Sequence, residues 1–170
     1  MSIGESILPE FDQEMANTRK VLECIPADKL DWQAHPKSNT IGWVANHLAE
    51  TVGWVEGTLT EDTWDIRPEG GEPYQAPTLT KKDEILALFD ENLTVARKRI
   101  EVTPDEEFAK SWSLLSAGET LMTMPKIGVI RTWVLNHTIH HRAHLCVYLR
   151  LNDVPVPGMY GPSGDEDGAW

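Results

Sequence analysis

Cysteine is nearly absent: Cys24 and Cys146 are the only two in 170 residues, and each falls inside a helical pattern. Two thiols so far apart in the chain exclude a disulfide framework, and the compartment expected is a reducing cytoplasm. Basic residues are also short. Fifteen Lys and Arg stand against 27 Asp and Glu, a formal net charge of -12, which argues against a nucleic-acid backbone or an anionic membrane as partner. No stretch approaches the roughly 18 uninterrupted apolar residues of a membrane span. Met1 to Glu14 carries Glu5, Glu10, Asp12 and Glu14 where a secretory signal would have a basic end and an apolar run. Glycine-rich phosphate loops and dinucleotide fingerprints are missing, and Ser116 and Ser163 lack the surroundings of a nucleophile elbow. There is no internal repeat and no low-complexity tract.

The length suits one domain over residues 1–170 with a core of its own, so a bound metal would serve function rather than hold the fold together. Four amphipathic helices are expected. Leu8, Phe11, Met15, Leu22 and Ile25 recur by threes and fours in the first, which stops near Pro26. Asn39 or Thr40 caps the second, whose apolar side runs through Ile41, Val44, Leu48, Val52, Val55 and Leu59. Residues 60–80, rich in Gly and Pro, read as a long surface loop that lies across a cleft or strays into solvent. Ile85, Phe89, Leu93, Ala96 and Ile100 mark the third helix, and Pro104 to Lys110 a short helical turn. Ser111 to Met122 reads as a connection with a little extended structure. Thr123 is placed as the cap of the last helix, with Pro125 in its first turn. The proline-rich tail from Val154 to Ser163 cannot continue that helix and is expected to fold back on the bundle, with Gly164 to Trp170 fraying.

The last helix carries what is most unusual in the chain. Four of the six histidines lie between Asn136 and His144. His137 and His141 stand where core residues would be expected, in a stripe that includes Ile127, Ile130, Val134, Leu145 and Tyr148. An imidazole in an apolar stripe needs partners for both ring nitrogens, and one divalent ion would serve several rings at once. Residues four apart share a helix face, which lets two rings converge on one ion. His140 and His144 have the same spacing, but a turn of about 100° per residue puts them nearer the edge of the apolar sector. His137 and His141 are therefore the inward candidates. His47, beside the apolar side of the second helix, is a candidate third ligand, and Glu50 one turn later could orient its ring or shuttle a proton. Trp43 and Trp54 read as core or pocket wall, and His35, before a proline in a polar loop, as an ordinary exposed residue. Glu50, His144 and Tyr148 are the nearest candidates for proton transfer. Leu135, Ile139, Ala143, Cys146 and Leu149 make the opposite face of the last helix apolar too, which predicts a homodimer contact.

Three segments together resemble the DinB-like family: Asn46-His47-Leu48-Ala49-Glu50, His137-Thr138-Ile139-His140-His141-Arg142, and the tail from Arg150 through Tyr160-Gly161-Pro162. The resemblance spans nearly the whole chain. It implies an all-α four-helix bundle of up-down-down-up topology, with a long connection between helices 2 and 3, holding a divalent metal, usually zinc or nickel, on three histidines. Those positions correspond here to His47, His137 and His141. Where many relatives have Gly-Gln after the His-Arg pair, this chain has Ala143-His144, an extra ionisable group near the site. Metal-dependent transfer of a low-molecular-weight thiol to a small-molecule electrophile is the leading functional expectation. Metal-dependent hydrolysis is the second, and a dimeric metal-binding or stress-associated protein without turnover the third.

Overall fold

The computed structural model describes residues 1–166. Helix α1 (Ile3–Glu23) opens with a complete capping box, in which the Ser2 hydroxyl accepts from the Glu5 amide and the Glu5 carboxylate accepts from the Ser2 amide. Helix α2 (Ile41–Thr60) starts at Thr40, whose hydroxyl accepts from the Trp43 amide at 3.0 Å. Helix α3 (Lys82–Val102) has Asp83 and Glu84 in its first turn, where the helix dipole favours them. A short α4 (Asp105–Ala109) follows. The last helical stretch has three parts: α5 (Lys126–Val129), a π-helical segment (Ile130–Asn136) and α6 (His137–Arg150). Helix α2 packs along α3, α1 packs against α3, and α6 packs against both α2 and α1. The buried side chains between them, among them Phe11, Leu48, Val52, Phe89, Ile100 and Leu145, form one core.

The expectation of an all-α fold is corrected by a small three-stranded sheet, so the protein is mostly helical but not wholly so. Strand β1 (Thr63–Asp65) pairs in parallel with β2 (Ser111–Ser116), which pairs antiparallel with β3 (Glu119–Pro125). The hairpin turn is Ala117-Gly118, with φ of 53° and 78°. Both are left-handed, as the turn between two right-twisted strands requires. The Asp65 carboxylate holds the turn by accepting from the amides of Ala117 and Gly118 at 3.0 and 2.8 Å. The Arg67 amide, which also donates to Asp65, together with the Gly118 and Ala117 amides keeps the Asp65 carboxyl below its usual pKa. An alanine in the left-handed position gives no turn signal in the sequence, which is why this stretch read as a connection. Thr123 does not cap the last helix. It lies in β3, and Pro125 ends that strand one residue before α5 begins.

The π-helical segment also alters the face assignments in the last helix. Its bonds reach one residue further than α-helical ones, so the chain turns less per residue and the α-helical wheel drifts out of phase across it. The buried side of α6 runs through Thr138, Arg142, Leu145 and Leu149, with His137 and His141 along its edge toward α2. Leu151, just past the end of α6, is exposed. Leu135 and Leu149, placed on the dimer face, belong to the chain's own core, and Cys146 packs against it. Of that face, Ile139 is half-buried and Ala143 exposed.

The tail does return to the helices. Val154, Val156 and Met159 pack on the core, and the Tyr160 hydroxyl lies between Glu14 of α1 and Arg142 of α6. Arg142 is 3% exposed, and its guanidinium donates to the Glu14 carboxylate at 2.6 Å and to the Glu14 carbonyl at 2.9 Å. Asp165 is tied to Arg150 at 2.5 Å, so the segment expected to fray is anchored at its start. Residues 167–170 lie outside the described part of the chain.

Candidate metal centre and the cavity beside it

His47 leaves the middle of α2 toward α6, on the side adjoining the buried residues Val44, Leu48 and Thr51. One turn on, the nearly buried Glu50 carboxylate lies 2.6 Å from His47 Nδ1. A carboxylate can only accept, so Nδ1 carries the proton and Nε2 presents its lone pair. That Nε2 lies 2.7 Å from Nε2 of His137. The His141 ring completes the group, with centroids 4.7 Å from His47 and 4.5 Å from His137. One ligand atom from each of the three rings falls within 4.8 Å of the other two. Structure thus brings together the three residues picked out in the sequence.

The chemistry of this donor set fits a divalent ion. Two imidazole lone pairs at 2.7 Å repel unless a proton or a cation lies between them, and a cation satisfies all three rings. His141 Nδ1 is buried without a protein partner among the described residues. Burial, reinforced by the neighbouring His47 and His137, pushes the His141 pKa down to about 3. Burial also lowers His137, followed in effect by His47 and His140. Both rings are therefore neutral near pH 7, the state in which imidazole binds metals. Trp43 stacks on His47, with centroids 4.7 Å apart and planes at 28°, which limits rotation of that ring.

The other candidates sort differently. Glu50 orients His47, as expected, and its second oxygen accepts from the Tyr74 hydroxyl. Tyr74 comes from the long connection, which does cross the site: Asn46 holds it by donating to the Leu79 carbonyl and accepting from the Leu79 amide, both at 2.9 Å. Burial and the Glu50 carboxylate raise the Tyr74 pKa, so Tyr74 keeps its proton. His140 and His144 are exposed and form a second group with His141 on the outer side of α6. Tyr148 lies edge-on to Trp32 and alongside His144, apart from the three converging rings. His35 is an exposed loop residue whose Nδ1 accepts from the Lys37 amide.

Next to the three histidines is a cavity of about 210 Å³ that the sequence did not reveal. Trp54, Trp133 and Val129 line its helical side, and Tyr74 and Ile66 come from the connection after β1. A row across the sheet closes it: Trp64 pairs with Leu114, and Leu114 with Met122. The only hint in the sequence was the seven tryptophans in 170 residues, a large number of aromatic anchors for a chain this size.

A family model for the DinB superfamily matches residues 10–145, a span that holds all three histidines. The chain belongs to the DinB superfamily. Its fold agrees with that of two solved DinB-like proteins. One, from Bacillus cereus ATCC 10987, is 22% identical with a TM-score of 0.69, over 92% of this chain and 97% of the other. The second, from Bacillus subtilis, is 16% identical with a TM-score of 0.65, over 88% and 95% of the two chains. No curated protein matches the chain.

Proposed function

We propose that this DinB-superfamily protein is a metal-dependent enzyme that transfers a low-molecular-weight thiol to a small-molecule electrophile. His47, His137 and His141 hold the divalent ion, with zinc or nickel suited to a three-imidazole site. We read the four long helical stretches as the up-down-down-up bundle of the family, which puts α2 and α6 side by side so that their histidines meet.

The observation that carries the choice of nucleophile is the state of Glu50. Both its oxygens are engaged, one by His47 Nδ1 and one by the Tyr74 hydroxyl, so it is not a free base for activating water. A bound divalent ion supplies Lewis acidity, which lowers the pKa of a thiol or a water. A thiol, at about 8.5, needs only a small shift to ionise at neutral pH, whereas water starts near 15.7. Glu50 holds the Nδ1 proton of His47 and so keeps Nε2 free to bind. Tyr74 holds Glu50 in place, and Trp43 stacks on the His47 ring.

The test is thiol consumption by zinc- or nickel-loaded protein given several low-molecular-weight thiols and a generic alkylating agent. Loss of thiol faster than in the metal-free control and the His137→Ala variant is expected. No excess over those controls would defeat the proposal, and metal-dependent hydrolysis of a test ester would instead make water the nucleophile.

A further inference from the structure

Resting on that reading, we infer that the aromatic cavity beside the histidines is the subsite for the electrophile, and that it takes a neutral aryl or aralkyl group. Its position relates it to the metal centre. The Trp54 ring lies 5.5 Å from His47 and 5.9 Å from His137, and Trp133 lies 5.9 Å from His137. A group seated in the cavity thus lies beside the converging imidazoles.

The lining sets the chemical class. In a chain with a net charge of -12, no Asp, Glu, Lys, Arg or His among the described residues lines the cavity. A carboxylate or phosphate would find no cation there. Five of the nine lining side chains are aromatic, Trp112 among them, which makes a quaternary ammonium the competing occupant, but Ile66, Leu114, Met122 and Val129 form the rest of the wall and no carboxylate among the described residues lines it to balance a charge. The carboxylate that the lining residue Tyr74 reaches, Glu50, is already bound by His47 and by Tyr74 itself. Flat neutral rings suit a space bounded by indoles and aliphatic side chains, since edge-to-face and offset contacts add to the gain from burying apolar area. An engineered cavity of about 150 Å³ lined by apolar side chains is known to accept benzene, so this larger one has room for a substituted or fused ring.

The sheet has a purpose in this light. It is joined to the helices through β1 and the hairpin, and its row Trp64, Leu114, Met122 supplies the wall opposite Trp54 and Trp133.

The test is binding of 1-naphthalenemethanol to the full-length protein, followed by quenching of tryptophan fluorescence, with 1-naphthoate and phenyltrimethylammonium as charged comparators. Saturable binding of the neutral probe is expected, with both charged probes about tenfold weaker or more, given the cost of desolvating a charge without a partner. Trp64→Ala, which removes a wall, and Met122→Trp, which fills the space, should each weaken the neutral probe about tenfold through lost apolar contact while leaving metal stoichiometry unchanged. Absence of saturable binding, or equal affinity for phenyltrimethylammonium, would overturn the inference. Binding that neither variant weakens, with metal content intact in both, would place the probe elsewhere and overturn it too. Because this readout needs no turnover, it can fail while thiol transfer stands, and it can succeed where thiol transfer fails.

Discussion

At the scale of single residues, the three imidazoles divide the work unequally. His47 is held from behind by Glu50, and His141 has a buried nitrogen with no protein partner. Replacing His47, His137 or His141 by Ala should abolish stoichiometric metal in elemental analysis, whereas His35→Ala should leave it intact. Glu50→Gln should weaken metal affinity about 10- to 100-fold, the usual cost of losing an outer partner of a histidine ligand; an unchanged affinity by competition titration would remove Glu50 from the site. The lowered pKa values of His137 and His141 also make the metal-free protein pH-sensitive. Between an unfolded pKa of about 6.5 and the lower native values, the unfolded chain binds more protons, so stability falls as pH drops through that window. Melting of metal-free protein between pH 7.5 and 5 should show this loss, and His141→Gln should reduce its slope.

At the scale of elements, the π-helical segment and the hairpin are the two departures from simple periodicity. Deleting the exposed Thr132 should return Ile130–Asn136 to α-helical pairing, and because the π segment turns less per residue, the lost residue and the tighter winding largely cancel and α6 keeps its facing toward α2. The expected outcome is stoichiometric metal retained, with helix content unchanged by circular dichroism; a variant that lost metal would show that the π winding itself sets the ring positions. In the hairpin, Ala117 sits at φ 53°, a conformation that costs a non-glycine residue about 1 kcal/mol. Ala117→Gly should therefore stabilise the protein by about that amount in urea unfolding. These two elements were also the ones least legible in the sequence. The apolar stripes of α1, α2 and α3 could be read directly, and the α2 cap was narrowed to Asn39 or Thr40, because each signal depends on neighbours within a turn or two. The π-helical register and an alanine in a glycine-like conformation leave no such local trace.

At the scale of the whole molecule, the chain's end is bound to its beginning through a buried ion pair. Arg142, Glu14 and Tyr160 join α6, α1 and the tail, with Arg142 and Glu14 exposed by 3% and 6%. Arg142→Met should cost about 3–5 kcal/mol, because it strands a buried carboxylate, and the Arg142→Met/Glu14→Leu double variant should recover most of that loss. Tyr160→Phe should cost about 1 kcal/mol, the worth of a typical hydrogen bond. Denaturant unfolding of the three variants checks the order, and a double variant no better than the single one would show that the pair holds position rather than merely balancing charge.

Periodicity and the spacing of His137 and His141 were enough to place the long helical stretches and to single out two of the three imidazoles, since those signals arise between residues one turn apart. Only tertiary structure decided that His47 meets His137 from 90 positions away, that Tyr74 reaches Glu50 across 24, and that four tryptophans from helices and strands surround one cavity. Such partnerships depend on how faces are turned toward each other in space, and a one-residue change in helical register is enough to move them.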